Sequence, residues 1–355
     1  MNKRIVILSL LLVGFSLGGS AAAVLVVDNA SPDLGEVLAG QVVTHTYTLS
    51  NAGDVTLLIT RVQATCGCTV PSWESATLPP GSSIPLEATF STAGYSGRVI
   101  KTVSIYYRGE GETATGTLKL SFSATVVRAE PYDLSVSELE RLFILLIDLR
   151  DADAYAASHL VGALNVPYAD LANWIGILPR DVFLVVYGQD GRLDAAAAQA
   201  LAQSGYPNAH PLQGGLDAWT QARGSQLLTA GPAAAERFLL APQTAASAGS
   251  SALRPVDAAY LDQEFLVLVD LRAPEAYAAV HLAGAVNVQP AVLSDWVAQL
   301  PTDTQLVLCD EGGSVARPQA IALFEAGFKR AQALFGGLAE WRAAFGGKLQ
   351  VTIAP

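Results

Sequence analysis

The first part of the chain alternates apolar and polar residues over short segments. Two such segments are VVTHTYTLS (42–50) and IPLEATF (84–90), and turn signals such as PPG (79–81) lie between them. Alternation with a period of two, bounded by turn residues, is typical of half-buried strands in an antiparallel sandwich. Residues 24–128 are therefore predicted to form an all-β sandwich of immunoglobulin type.

The pattern changes after residue 128. Continuous apolar runs, FILLIDL (143–149) and DVFLVVY (181–187), are followed by a helical segment, LDAAAAQALAQSGY (193–206). Buried strands that alternate with helices indicate an α/β domain with a mainly parallel sheet. The chain is thus expected to be multidomain, with an all-β part followed by an α/β part.

The α/β part contains one motif twice. It reads LIDLRDADAYAASHLVGALNVP at 146–167 and LVDLRAPEAYAAVHLAGAVNV at 268–288, and equivalent residues lie 122 positions apart. The segment 228–252 between the copies is rich in Ala, Gly, Ser and Pro, which is typical of a linker. The first copy is therefore assigned to 129–227 and the second to 253–350.

Composition narrows the functional classes. The 355 residues leave room for two or three domains, and 51% hydrophobic residues indicate a globular chain. The formal net charge of −11 repels phosphate backbones, so nucleic acid is not expected as a partner.

The N-terminus has the layout of a signal peptide. Lys3 and Arg4 precede a short apolar run, and small residues at 20–23 supply a cleavage site. Cleavage after residue 23 predicts an exported, periplasmic protein; an uncleaved N-terminal membrane anchor is the alternative. No later stretch is long and apolar enough to span a bilayer, so no membrane span is expected after cleavage.

Only the second copy carries a cysteine near its central strand. The apolar run at 305–308 ends at Cys309, and a helix is predicted from about Val315 to Glu325. We align Gly188 of the first copy with Cys309, which leaves the first copy without a nucleophile and its loop one residue shorter. A thiol at the end of a parallel strand, facing a helix N-terminus, is expected to have a lowered pKa because loop amides stabilise the thiolate. The substrate-binding loop is assigned to Asp310, Glu311, Gly312, Gly313, Ser314 and Arg317.

These residues resemble a known family. The set DLR, AY and H-x-x-GA-x-N, followed by C-x-x-G and GG-x-x-x-W, is similar in both copies to rhodanese sulfurtransferases over about 132–347. The resemblance implies that Cys309 takes a sulfane sulfur from a donor such as thiosulfate, holds it as a persulfide and passes it to a thiol or cyanide-like acceptor. It implies no metal and no organic cofactor. The first copy is then catalytically silent.

The loop departs from the family pattern. Many active members have an arginine five positions after the cysteine, where this chain has Ser314. Asp310 and Glu311 place two carboxylates beside the thiol, which oppose thiolate formation. Arg317 in the first helical turn is expected to offset them in part.

Three further residues of the second copy are assigned supporting positions. Asp270 and Arg272 are interpreted as scaffolding beside the site, and His281 as hydrogen-bonded to a loop, with general-base catalysis as the alternative. The same residues in the silent copy favour the structural interpretation.

The β part contains a second cysteine motif. The segments around CGCTVPSW (66–73) resemble an immunoglobulin-like bacterial family of unknown function with a CGCT signature, over about 28–107. Residues at i and i+2 of a strand share one face, so Cys66 and Cys68 are candidates for a redox-active disulfide or a soft-metal pair. A purely structural role for the two cysteines at a strand end is favoured equally, and metal binding is the least favoured role.

The sequence thus favours an exported sulfurtransferase acting through Cys309. A non-catalytic periplasmic scaffold, using degenerate rhodanese folds to bind a protein partner, is the alternative. The carboxylates of the second loop favour this alternative, and the cysteine favours the enzyme.

Overall fold

The computed structural model describes residues 23–65, 69–72, 76–234, 236–239 and 254–353. The predicted signal peptide, apart from its last residue, and both Cys66 and Cys68 lie outside the described residues. Within the described part, the chain divides into a β unit and an α/β unit that consists mainly of Val126–Pro355. Among the described helices, none combines the length and apolar character needed to cross a bilayer.

The β unit consists of two sheets, with strand orders β1-β3-β7-β5 and β2-β9-β8-β4-β6. In the first of these sheets, β3 and β7 pair antiparallel from Val42↔Ser91 to Ser50↔Ser83. The strands are β1 Leu25–Val27, β2 Asp33–Leu38, β3 Val42–Asn51, β4 Leu57–Ala64, β5 Thr69–Ser72, β6 Ala76–Leu78, β7 Ser83–Ser91, β8 Gly97–Gly109 and β9 Gly116–Val127.

Alternate residues of these strands form the sandwich core. Along β3 and β7, Tyr47, Leu49, Leu86 and Phe90 are fully buried while their neighbours are at least partly exposed. This is the period-two pattern of the sequence, because successive side chains of a strand point to opposite faces. The all-β sandwich is confirmed.

The first α/β copy has a parallel sheet of order β13-β11-β14-β15. Its central strands are buried along almost their whole length, as expected for a sheet covered on both faces. Its elements are β10 Asp133–Leu134, α1 Val136–Leu142, β11 Ile144–Asp148, α2 Ala152–Ala157, β12 His159–Leu160, β13 Leu164–Asn165, a 3-10 helix Tyr168–Asp170, α3 Leu171–Trp174, β14 Phe183–Tyr187, α4 Asp194–Gln203, β15 Ala209–Pro211, α5 Gly215–Arg223 and β16 Leu228–Thr229.

The second copy repeats this order, with β22, β21, β18 and β20 as neighbours. The helix expected from about Val315 to Glu325 is confirmed as α9. The elements are β17 Glu236–Phe238, α6 Ala258–Glu264, β18 Leu266–Asp270, α7 Pro274–Ala279, β19 His281–Leu282, β20 Val286–Asn287, a 3-10 helix Pro290–Val292, α8 Leu293–Val297, β21 Gln305–Cys309, α9 Ala316–Glu325, β22 Ala331–Leu334, α10 Gly337–Phe345 and β23 Gln350–Ile353.

The first strand residues of each copy pair with the sheet of the other copy. β10, at the start of the first copy, pairs in parallel with β22 of the second, through Leu134↔Leu334. Val256 occupies the equivalent position at the start of the second copy and forms a parallel bridge to Leu212 of the first. Each sheet is therefore extended by the first residues of the other copy.

The hydrophobic cores also run through both copies. One core contains Ile147 and Val186 of the first copy together with Leu268 and Cys309 of the second. Gly162 and Gly284, both with positive φ, face one another so closely that a Cβ on Gly162 would lie 2.4 Å from the Gly284 carbonyl oxygen. Two domains that share cores and a backbone contact of this kind pack as one body.

The predicted linker at 228–252 contains short strands. β16 pairs antiparallel with β12 of the first copy, and β17 pairs antiparallel with β23 of the second. The chain that joins the copies is thus hydrogen-bonded first to one and then to the other.

Candidate active site at the cysteine loop

The structure corrects the alignment of the two loops. Cys309 is paired with Asp270 across the parallel sheet, and Tyr187 is paired with Asp148 in the equivalent way. Cys309 therefore corresponds to Tyr187, and Asp310 corresponds to Gly188. The alignment of Gly188 with Cys309 was wrong.

Hydrogen bonds from the first turns of α5 and α10 to the two loops confirm this register. The N–H of Leu216 donates to the carbonyl of Gly188, and the N–H of Leu338 donates to that of Asp310, at 3.0 and 2.9 Å. Equivalent residues keep the 122-residue offset throughout, so the two loops have equal length. The expected difference of one residue in loop length arose only because Gly188 had been aligned with Cys309.

Cys309 is the last residue of β21, and its side chain packs in the core. The residue is 0% exposed, and its main-chain carbonyl accepts from the N–H of Leu271 at 2.9 Å. Burial raises the pKa of the thiol well above its ordinary value, and the negative charge of Asp270 adds to this effect more than Arg272 offsets it. The prediction of a lowered thiol pKa was wrong, because the side chain lies in the sheet and does not enter the loop.

The inward-facing amides expected in the loop are present, but a carboxylate of the chain occupies them. Asp310 accepts from the N–H of Gly313 on one oxygen. Its other oxygen accepts from Val315 and, at 3.3 Å, from Ala316, at the start of α9. A carboxylate at a helix N-terminus is stabilised by the free amides and by the helix dipole. Asp310 thus fills the space in which the loop would hold an external anion.

Glu311 and the remaining loop residues point elsewhere. The Glu311 carboxylate forms ion pairs with Arg272, at 3.4 Å, and with Arg342. Gly312 and Ser314 are exposed, and Gly313 has a φ of 81°, which only glycine adopts readily. Of the two acidic residues expected beside the thiol, only Asp310 contributes to raising its pKa.

Arg317 does not compensate the loop carboxylates as expected. Its guanidinium donates to the buried carboxylate of Asp133 on β10, at 2.7 and 3.1 Å. Arg317 therefore links β10 to α9, and the Asp133 carboxylate neutralises its positive charge.

Asp270 and Arg272 form a buried ion pair next to Cys309. Arg272 donates to both Asp270 oxygens, at 2.7 Å for the shortest contact, and also to the carbonyl of Val280. The first copy has the same arrangement at Asp148 and Arg150, although it has no cysteine there. The repetition supports a scaffolding role for the pair.

His281 is bound to a helix carbonyl. Its Nδ1 lies 2.8 Å from the carbonyl oxygen of Tyr277 in α7, and its ring stacks on that tyrosine. Its Nε2 faces Glu236 of β17 at 3.3 Å. His159 has the same tyrosine contacts in the first copy.

The first copy fills its loop with a different carboxylate. Asp194 at the start of α4 accepts from the N–H of Gly188 at 2.7 Å. Burial raises the pKa of Asp194 to about 6, the Gly188 hydrogen bond opposes this, and nearby Asp190 adds to it. No sequence motif pointed to Asp194; the available signal was an acidic residue at the start of the predicted helix, six residues after Gly188. Each loop thus contains an acidic side chain of its own.

Comparison with known proteins agrees with this architecture. The model of the rhodanese-like domain matches residues 135–222 and 257–344, and a model described as a protein of unknown function (DUF1573) matches residues 25–126. The thiosulfate sulfurtransferase GlpE of Shewanella oneidensis is 34% identical over 93 residues, which cover 25% of this chain and 92% of that protein. The chain belongs to the rhodanese family, with two rhodanese-like domains after an immunoglobulin-like domain.

Two other similarities cover more of this chain but less of the relative. The centrosomal protein of 41 kDa of Bos taurus is 30% identical over 123 residues, 32% of this chain and 33% of that protein. The chain therefore spans about a third of the length of that relative. The structure of a thiosulfate sulfurtransferase from Pseudomonas aeruginosa is 20% identical, with a TM-score of 0.22, and the match covers 59% of this chain and 42% of that one.

Proposed function

We propose that this chain is a non-catalytic binding module built on two rhodanese folds. The observation that carries the proposal is the Asp310 carboxylate, which accepts the loop amides of Gly313, Val315 and Ala316. In a catalytic loop these amides would face an anionic substrate or stabilise a thiolate. Here they are already bonded to a fixed negative charge, which repels a second anion.

The position of Cys309 supports the same conclusion. A nucleophilic thiol must be ionised and must reach its substrate. Cys309 is buried beside Asp270, and its thiol pKa is raised. In the first copy the position equivalent to Cys309 is held by the buried Tyr187, and Asp194 occupies the amide of Gly188.

Sulfur transfer through Cys309 is the second candidate, and the similarity to thiosulfate sulfurtransferase supports it. In that reaction the Cys309 thiolate attacks the outer sulfur of thiosulfate, the sulfur–sulfur bond breaks, and sulfite leaves with the bonding electrons. Cyanide then attacks the outer sulfur of the persulfide, which releases thiocyanate and restores the thiolate. This candidate requires β21 to expose a side chain that is now in the core.

Thiocyanate release from thiosulfate and cyanide separates the two candidates. The binding module predicts equal, background release for the wild-type chain and for Cys309→Ala. Asp310→Cys in the Cys309→Ala background places a thiol at the first loop position, next to the freed amides, and is expected to gain turnover. Turnover by the wild-type chain that is lost in Cys309→Ala would establish the sulfurtransferase and refute the binding module.

Two further predictions belong to this proposal. Export to the periplasm is predicted from the signal-peptide layout of residues 1–23. In the periplasm, the binding module would act on a protein partner. Cys66 and Cys68 would contribute a redox-active pair on the immunoglobulin-like domain. N-terminal sequencing of the secreted protein and a thiol count under oxidising conditions test these two predictions.

A further inference from the structure

A cavity of about 210 Å³ lies between the two rhodanese-like domains. None of the residues 309–317 of the cysteine loop lines it. Equivalent residues of both copies form its walls, and the β17 segment that joins the copies contributes Glu236. The equivalent pairs are Tyr155 and Tyr277, Gly162 and Gly284, and Asn165 and Asn287.

Glu236 lines this cavity, and one of its carboxylate oxygens has no partner among the described residues. The pairing of β17 with β23 fixes its backbone opposite Ile353. One side-chain oxygen faces Nε2 of His281 at 3.3 Å, while Oε2 is buried without a hydrogen bond to any described residue. A buried carboxylate oxygen without a donor destabilises the folded state, because the hydrogen bonds it made with water are not replaced. Such an atom marks a place where a donor is missing.

The tyrosine hydroxyl and asparagine amide donors around the cavity are already used within the protein. The hydroxyl groups of Tyr155 and Tyr277 donate to the carbonyls of Ala163 and Ala285, each at 2.7 Å. The amide of Asn165 donates to the carbonyls of Asp148 and Arg150, and Asn287 makes the equivalent bonds in the second copy. The Oδ1 atoms of both asparagines are left as acceptors.

His159 adds another acceptor. Its Nδ1 lies 2.8 Å from the carbonyl oxygen of Tyr155, so Nδ1 carries the ring proton. Burial lowers the pKa of His159, which favours the neutral ring with a lone pair on Nε2. Among the described residues that line the cavity there is neither lysine nor arginine. The cavity therefore combines one negative charge, several acceptors and no free side-chain cation.

We propose that this cavity binds a small organic molecule through a primary ammonium group. An ammonium group supplies three N–H donors and a positive charge, which match the free Oε2 of Glu236 and the neighbouring acceptors. Both copies contribute to the site, and the pairing of β17 places its charged residue. The proposal does not depend on whether Cys309 transfers sulfur, because the cysteine loop is separate from the cavity.

A calorimetric titration of the full chain with n-butylammonium tests this site. Butylammonium is expected to bind, while n-butanol, tetramethylammonium and potassium ions bind much more weakly, because each lacks either the charge or the N–H donors. Glu236→Gln is expected to weaken butylammonium binding about tenfold or more. Glu264→Gln, at an exposed position in α6, is the matched control and should bind as the wild type does.

The wild-type chain also carries its own reporters, which keeps the test valid if Glu236→Gln fails to fold. Butylammonium should shift the ring NMR signals of His159 and His281 and leave those of His45 and His210 in place. No binding, binding that survives Glu236→Gln, or equal binding of potassium or tetramethylammonium would overturn the proposal. So would signals of His159 and His281 that do not move at saturation.

Discussion

Asp310 follows Cys309 directly, and the two side chains point in different directions. The thiol of Cys309 is in the sheet core, while the carboxylate of Asp310 enters the loop and accepts the amides that precede and begin α9. Because successive residues at a strand end alternate in direction, a shift of one position separates a loop residue from a core residue. The chemistry of the second rhodanese-like domain depends on this single step in register.

Replacing Asp310 with glycine should free the loop amides. Asp310→Gly removes the carboxylate that caps α9, so we expect a loss of about 1–2 kcal/mol in the free energy of unfolding, measured with urea. Sulfate should restore part of this loss in the variant and have no comparable effect on the wild type, since an anion can now occupy the loop. Glu311→Ala is the control, because its exposed carboxylate bonds to arginine side chains. Equal sulfate effects in wild type and Asp310→Gly would contradict the assignment.

Cys309 should behave as a core residue on substitution. Cys309→Ser introduces a buried hydroxyl in place of the thiol, and we expect it to lower the free energy of unfolding by about 1–3 kcal/mol. Ser314→Ala, at an exposed loop position, should change it by less than about 0.5 kcal/mol. Urea unfolding measures both. If Cys309→Ser is as stable as the wild type, the side chain is not packed as described.

Arg317 should contribute to the stability of β10. Its partner Asp133 has a side chain that is 0% exposed, so Arg317→Met leaves a buried carboxylate unpaired, and a loss of about 3 kcal/mol is expected. Arg192 and Asp190 form an exposed pair, with side-chain exposures of 85% and 43%, and Arg192→Met should cost less than about 1 kcal/mol. A similar cost for both variants would show that β10 is not held through Arg317.

Asp194 should make stability depend on pH. Its pKa is raised from 3.8 to about 6 in the folded chain, so between these values the folded state binds more protons than the unfolded state. This contribution to the free energy of unfolding is therefore largest at low pH and is lost as the pH rises through about 6. Asp194→Asn removes it, so the melting temperature of the variant relative to wild type should rise across this interval. Asp153→Asn, at an exposed position in α2, is the control; a flat difference for Asp194→Asn would contradict the raised pKa.

Much of this architecture follows from the sequence pattern. Period-two alternation predicted the β sandwich, and the doubled motif predicted two α/β domains of one family. The helix from about Val315 was also correct, because glycines precede it and apolar residues recur with helical spacing. In these places, local pattern and tertiary structure agree.

The site was predicted less well, for a physical reason. Cys309 was correctly expected at the end of its strand, but its thiol was expected to face the loop amides because of its chemistry, whereas it is apolar enough to be buried in the core. The constant offset of 122 residues assigns Gly188 to Asp310 and would have given the correct register. Neither the pairing of β10 with β22 nor the position of Glu236 could be predicted, since strands of two or three residues leave no periodic pattern.

The ionisation of Cys309 tests the central claim most directly. In a Cys66→Ser/Cys68→Ser background, the rate of iodoacetamide alkylation of the native chain, followed against pH, reports the thiol alone. A buried thiol with a raised pKa predicts alkylation far slower than in the urea-unfolded chain, with no plateau near neutral pH. Fast alkylation of the native chain that saturates at or below neutral pH would show an accessible thiolate and contradict the account.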